Sequence, residues 1–114
     1  MRSKIGAKIR LQHILDAICE LETYTRQATF DDFVANSMMQ FACIKQLEII
    51  GEAASHISDE LKQRFSEVEW PEIVGLRNIL IHEYFGIDEN IIWVIIKKDI
   101  PQLKIKIEKI LNQF

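Results

Sequence analysis

Apolar residues recur every three or four positions in the first 24 residues, a spacing that predicts an amphipathic helix. The helix is expected to run from about Ile5 to about Tyr24. Its apolar face would consist of Ile5, Ile9, Leu11, Ile14, Leu15, Ile18 and Leu21.

A second helical segment is predicted from Thr29 to Ile57. Thr29 and Asp32 have the spacing of a capping box, with Asp in place of the more usual Glu. The segment is apolar on most of its circumference, so it either lies at the centre of a bundle or is shared with another chain. We expect its Met38, Met39 and Phe41 cluster to serve packing or an interface.

Capping residues, Pro71 and Gly86 predict several shorter helices in the second half of the chain. Ser58 or Asp59 can cap a helix over 60–65, and Pro71 precedes a helix predicted over 72–84, which Gly86 would stop. Asp88 is the expected cap of the next helix.

The run Ile91–Ile96 is rich in β-branched residues and resembles a strand. The cap before it and the helical spacing of apolar residues after it favour a helix instead. Asp99, Ile100 and Pro101 are expected to restart or kink that helix.

Composition agrees with one small helical domain over residues 1–114. The chain is 48% hydrophobic and 27% charged, with only 4 Gly and 2 Pro, which excludes disordered and fibrous classes and leaves few turn residues for an all-β fold. We therefore expect an all-α bundle, and its excess of apolar surface predicts a homodimer. The formal charge of −3 provides no broad cationic field, so a nucleic acid would have to be bound locally.

Cys19 and Cys43 match no metal-binding spacing and lie among apolar residues, which favours buried thiols in a reducing cytosol over a disulfide. The N-terminal segment has no continuous apolar region of a signal peptide, and charged residues interrupt every apolar stretch well short of about 20 residues. We expect a cytoplasmic protein without a membrane span.

No common cofactor or nucleotide motif is present, and His13, His56 and His82 are too scattered to suggest a metal cage. Neither a cofactor nor a metal is therefore expected. What remains is the segment 70–86, where polar side chains crowd the end of an apolar helix.

Four of these polar residues can be placed on the predicted helix. Asn78 and His82 are four residues apart and share a face, whereas Tyr84, seven residues after Arg77, returns to the side of Arg77. An imidazole that exchanges protons near neutral pH and a guanidinium that grips phosphate oxygens are groups that RNA cleavage requires. RNA supplies its own nucleophile, the 2′-OH.

Spacing alone also fits ordinary structural roles. A histidine near a helix C-terminus often interacts with the helix dipole, and an arginine can simply pair at the surface. Trp70 and Trp93 are more typical of packing than of base stacking. The basic C-terminal stretch is interpreted as a solvated face; it contains Lys97, Lys98, Lys104, Lys106 and Lys109.

The octet Arg77–Tyr84, RNILIHEY, resembles the R-x4-H-x-Y motif of HEPN-domain ribonuclease toxins of the HepT type. These are partners of minimal nucleotidyltransferase (MNT) antitoxins. The resemblance extends to four further stretches in the same order and covers nearly the whole chain: residues 49–54, Trp70–Pro71, residues 85–88 and Ile92–Trp93.

This resemblance implies an all-α, HEPN-like bundle of four to five helices that forms a homodimer with a shared cleft. It also implies a metal-independent endoribonuclease, the toxin of a type VII HEPN/MNT toxin–antitoxin system. Arg77 matches the arginine that grips phosphate and His82 the catalytic histidine, while Asn78 is assigned an orienting role. Tyr84 matches the tyrosine to which the partner transfers AMP, which silences the toxin.

Two alternatives stay open at this point. Glu52 could support the site by pairing with Arg77 or a lysine, or it could form an ordinary buried-edge ion pair. The whole protein could instead be a non-catalytic helical subunit that docks a minimal nucleotidyltransferase and helps present its substrate.

Overall fold

A computed structural model describes the backbone of residues 2–82 and 88–114 and the side chains of residues 6–77 and 88–114. These residues form seven α-helices and one π-helical segment, with no strand within the described ranges. The helices are α1 (Arg2–Thr25), α2 (Phe30–Ala35), α3 (Ser37–Ser55), α4 (Asp59–Arg64), α5 (Trp70–His82), α6 (Glu89–Val94) and α7 (Ile100–Leu111). The all-α prediction is confirmed.

Side-chain caps set several of the helix boundaries as predicted. Thr29 and Asp32 form a reciprocal capping box at the start of α2. The Ser58 hydroxyl accepts a hydrogen bond from the Leu61 N–H at the start of α4, and the Asp88 carboxylate caps α6 in the same way. Each cap satisfies a backbone donor that the first helical turn leaves without a partner.

The expectation of one continuous segment from Thr29 to Ile57 was wrong. Asn36 ends α2 and caps α3, because its extended backbone breaks the helix while its side chain accepts from the Met39 N–H. The break leaves α2 as a short arm that contacts both α3 and α6.

Helix α3 lies at the centre of the bundle, as its largely apolar circumference predicted. It makes extensive contacts with α1 on one side and α5 on the other. The buried face of α1 follows a spacing of three or four residues and leaves out Ile9, which is exposed. It consists of Ala7, Leu11, Ile14, Ala17, Ile18, Leu21 and Thr25.

The last helical body runs from α6 through the π-helical segment Ile95–Asp99 into α7. Pro101 has no N–H to donate to the carbonyl four residues earlier, and its ring would clash with that carbonyl in a regular α-helix. The wider π-helical turn accommodates this proline, and the Ile100 N–H bonds to the Ile95 carbonyl. Helix therefore replaces the strand-like reading of Ile91–Ile96, as predicted.

The aromatic residues mostly pack within the chain, as expected. Trp70 is buried and its indole N–H donates to the Phe65 carbonyl at 3.0 Å. Trp93 packs against Phe30 and Phe33, with ring centroids 6.2 and 5.2 Å away. By contrast, Met38 is 81% and Phe41 58% exposed, so packing inside this chain does not account for them.

Two expectations need correction. Cys43 is buried, and burial raises the pKa of its thiol to about 11, but Cys19 is exposed on α1. The basic stretch is only partly a solvated face, because Lys97 donates to the Thr25 carbonyl at 2.9 Å and Lys104 pairs with Glu22 at 2.8 Å. Both lysines hold the C-terminal body against α1.

Candidate functional site

The candidate site lies where the last turns of α3 pass the middle of α5. The two backbones approach closely at Gly51: a Cβ atom there would lie 2.7 Å from the Arg77 nitrogen and 3.2 Å from the Ile73 carbonyl oxygen. Such contacts are too short for any side chain, so glycine is needed for this approach. The approach brings the start of the Arg77 side chain against α3.

The Arg77 guanidinium bonds to two side chains of the last turn of α3. Its Nη1 donates to Glu52 Oε2 at 3.1 Å and to Ser55 Oγ at 3.1 Å. Because Nη1 carries two protons, these two acceptors use both of them. The Nε atom is buried and has no acceptor among the described residues.

The Glu52 carboxylate links Arg77 to a histidine. Its second oxygen, Oε1, lies 3.0 Å from His56 Nε2, so the two oxygens of one carboxylate contact two basic side chains. Hydrogen bonds from Arg77 and then from His56 lower the pKa of Glu52 below its ordinary value. The carboxylate is therefore ionised at neutral pH and orients both partners.

This cluster faces solvent. The side chains of Glu52, His56 and Arg77 are 57%, 49% and 35% exposed. A partly exposed guanidinium carries a permanent positive charge and N–H donors, so it can bind an oxyanion such as a phosphate group. The arrangement therefore suits recognition of a phosphodiester.

Comparison with known proteins identifies the family. The family model described as "Ribonuclease HepT-like" matches residues 14–110. The chain belongs to the ribonuclease HepT-like family. This membership confirms the prediction that the chain is a ribonuclease.

Named relatives agree with this family along nearly their whole length. The chain is 42% identical over 106 residues to the Methanocaldococcus jannaschii protein "Putative RNase MJ1380", covering 93% of this chain and 97% of the relative. It is 44% identical over 107 residues to "Probable ribonuclease HepT" of Thermococcus cleftensis, covering 94% and 97%. No solved structure gives a significant match.

The motif singled out in the sequence begins at Arg77, and the structure brings that residue together with Glu52. Glu52 is more than half exposed and pairs with Arg77 at 3.1 Å, which is one of the partners considered from the sequence. Asn78 and His82 follow Arg77 on α5, but their side chains lie outside the described residues. Tyr84 also lies outside the described residues.

Two residues of the cluster, Ser55 and His56, were not predicted as part of the site. His56 follows Glu52 by four positions on a helix, a spacing that places both side chains on one face and could have indicated the contact. Ser55 has no comparable signal, because its role depends on where α3 ends and how closely α5 passes.

Within the described ranges, no three metal-ligating side chains come together. None of the helices in the described part of the chain combines the length and apolar character needed to cross a membrane.

Proposed function

We propose that the chain is the toxin of a type VII HEPN/MNT toxin–antitoxin pair, and that it cuts RNA internally without a metal ion, using Arg77 and His82. The observation that carries the proposal is the Arg77 guanidinium, held in one orientation by Glu52 and Ser55 where the end of α3 passes the middle of α5. The family membership supplies the reaction class.

In this mechanism the 2′-oxygen of a ribose attacks the adjacent phosphorus. A bond from the 2′-oxygen to phosphorus forms and the bond from phosphorus to the 5′-oxygen breaks, which leaves a 2′,3′-cyclic phosphate and a 5′-hydroxyl. The proton lost by the 2′-OH is balanced by the proton gained at the 5′-oxygen, and His82 transfers a proton in this exchange. Asn78 orients the reacting groups.

Arg77 stabilises the negative charge that develops on the phosphate oxygens. Since both protons of Nη1 bond to Glu52 and Ser55 and Nε is buried, the Nη2 edge is the part of the guanidinium that would meet the phosphate. Glu52 acts in support, because its carboxylate fixes the guanidinium in the plane that this contact requires.

A homodimer with a shared cleft is part of the proposal. Exposed apolar side chains on α2 and on the two helices that it contacts, α3 and α6, support it. They are Val34, Met38, Phe41, Ile91 and Val94. Burying them against a second copy would remove from water a surface that a lone chain leaves exposed.

A minimal nucleotidyltransferase would silence the enzyme by transferring AMP to Tyr84. The motif places Tyr84 seven residues after Arg77, and a phosphodiester attached there would occupy the guanidinium and repel an RNA phosphate. The measurement is the intact mass of the chain after incubation with the cognate nucleotidyltransferase and ATP. Added AMP that disappears in Tyr84→Phe supports the switch, whereas AMP that persists in this variant contradicts it.

The activity itself is tested with wild type and His82→Ala in a cleavage assay that contains EDTA. Loss of a general acid or base lowers rates by about 10²–10⁴-fold, so His82→Ala should lose at least two decades while keeping the wild-type circular dichroism spectrum. Equal cleavage by the two proteins would refute the proposed mechanism. Growth arrest on expression without the partner, abolished in His82→Ala, tests the toxin role; harmless expression of wild type would favour a docking subunit.

A further inference from the structure

The hydroxyl of Ser55 has both of its hydrogen-bonding functions committed at the end of α3. Oγ donates its only proton to the Glu52 carbonyl at 2.6 Å, and a lone pair accepts from Arg77 Nη1 at 3.1 Å. Because the backbone carbonyl holds the proton, the oxygen is available to Arg77 only as an acceptor.

Glu52 and Ser55 restrain Arg77 in different ways. The Glu52 side chain is more than half exposed and has three rotatable bonds, so its hold on the arginine depends on the conformation of a long side chain that also contacts His56. The Ser55 oxygen is one bond from the Cβ atom and is tied to its own helix, so its position is set by the α3 backbone. A serine in this place therefore sets the direction of Nη1 more rigidly than the carboxylate does.

From these contacts we propose that Ser55 is a positioning residue of the ribonuclease site, which fixes the Arg77 guanidinium so that its Nη2 edge meets the RNA phosphate. The proposal rests on the function proposed above. It extends that function to a residue outside the motif, on the helix that faces the motif across the Gly51 approach.

Ser55→Ala removes the fixed acceptor and leaves Glu52 as the described partner of Nη1. The kcat/KM for RNA cleavage is expected to fall about tenfold, the size typical of a lost hydrogen bond to a charged group. Ser55→Thr keeps the hydroxyl and should remain within about threefold of wild type. Three measurements on the purified full chain test this: cleavage in EDTA, thermal midpoint, and binding of a 2′-O-methyl RNA that cannot be cut.

Ser58→Ala is the matched control, because the Ser58 hydroxyl accepts from a backbone N–H at the start of α4 and does not contact Arg77. It should lower the thermal midpoint while leaving kcat/KM unchanged. Ser55→Ala should instead lower kcat/KM and leave the thermal midpoint unchanged.

A double-mutant cycle separates positioning from general destabilisation. If Ser55 acts through Arg77, Ser55→Ala should weaken binding of the 2′-O-methyl RNA in the wild-type background and change it less than twofold in the Arg77→Ala background. An equal loss in both backgrounds, or wild-type cleavage by Ser55→Ala, would overturn the role of Ser55. Failure of wild type to cut RNA, or full activity of Arg77→Ala, would instead overturn the proposed function on which it rests.

Discussion

Two basic side chains lie against the C-terminal ends of helices, and their surroundings differ. Lys97 donates to the backbone carbonyl of Thr25, the last residue of α1, and its ammonium lies 4.9 Å from the centre of the Trp93 ring. Arg77 instead bonds to the side chains of Glu52 and Ser55 in the last turn of α3. The Lys97 contacts satisfy a helix carbonyl and place the ammonium on an aromatic ring. The Arg77 contacts fix Nη1 of the guanidinium, while Nη2 has no hydrogen-bond partner among the described residues.

This difference shows why the position of a basic residue does not reveal its role. Helix C-termini favour cations in general, since their last carbonyls have no partner within the helix. Lys97 joins α1 to the C-terminal helical body, so its expected contribution is to stability. Arg77 bonds to groups that orient it without covering it, so its expected contribution is to function.

The largest expected effect is the loss of cleavage activity in Arg77→Ala, and comparison with Lys97→Ala separates the two roles. Arg77→Ala removes the group that we propose to stabilise charge in the transition state, so kcat/KM for RNA cleavage should fall about 10²–10³-fold. Lys97→Ala should keep kcat/KM within about twofold of wild type. Single-turnover cleavage at a temperature where both variants are folded measures this. A large loss of kcat/KM in Lys97→Ala would contradict the purely structural role given to Lys97.

The close approach of α3 and α5 provides a second test, on stability. Gly51→Ala places a methyl group 2.7 Å from the Arg77 nitrogen, so the helices must separate and the free energy of unfolding should fall by about 1–3 kcal/mol. Gly75→Ala is the matched control, since a Cβ atom there meets nothing within 4 Å and alanine is the better helix former by up to about 1 kcal/mol. Urea titration compares them; equal stability of the two variants would mean that Gly51 does not set the helix spacing.

Lys97→Ala should lower the free energy of unfolding by less than Gly51→Ala does. Lys97→Ala removes one hydrogen bond to a carbonyl and one cation–π contact, which together contribute on the order of 1 kcal/mol at a partly exposed site. Lys104→Ala, which breaks the more ordinary surface pair with Glu22, should cost less. The thermal midpoint should therefore be lower for Lys97→Ala than for Lys104→Ala. The reverse order would contradict the structural role given to Lys97.

The smallest expected effect is a change in how the stability of the chain depends on pH in the acid range, and it concerns Glu52. The pKa of Glu52 is lowered in the folded chain, so its contribution to stability is present above the ordinary glutamate pKa of 4.5 and is lost as the pH falls through the lower folded value. Glu52→Gln should therefore lose less stability than wild type when the pH is lowered through this range. Urea midpoints against pH measure this, and curves of the same shape would contradict the ion pair.

Asp32 offers the control for this titration. Its pKa is lowered by the capping-box bonds with Thr29, far from Arg77 in the chain, so Asp32→Asn should also flatten the acid side of the stability curve. Because Asp32 is not part of the candidate site, this variant should leave RNA cleavage unchanged at neutral pH.

Much of the fold could be predicted from local sequence signals. Thr29, Ser58 and Asp88 mark helix starts because a short polar side chain satisfies free backbone donors wherever the chain turns into a helix. The break at Asn36 was missed because it interrupts an otherwise continuous apolar pattern. The exposure of Met38, Phe41 and Cys19 was not predictable either, since which side of an apolar helix faces solvent depends on its neighbours.

The site could be predicted only in part, because some of its contacts also depend on how neighbouring helices pack. Arg77 was identified from its motif, and pairing with Glu52 was one of the alternatives that the sequence left open. Ser55 contacts Arg77 because Gly51 lets α5 pass close to the end of α3, whereas His56 joins the cluster through Glu52, four positions before it in the chain. The contact between Ser55 and Arg77, which are 22 positions apart in the chain, has no local sequence signature.

The most direct test of the central claim is the chemistry of the cut ends. Wild type and Arg77→Ala are incubated with RNA in EDTA, and the fragments are analysed by mass spectrometry. The account predicts a 2′,3′-cyclic phosphate on one fragment and a 5′-hydroxyl on the other, both absent with Arg77→Ala and with RNA that carries a 2′-deoxyribose at the cut position. Fragments with a 3′-hydroxyl and a 5′-phosphate, or cleavage that persists without Arg77 or without the 2′-OH, would contradict it.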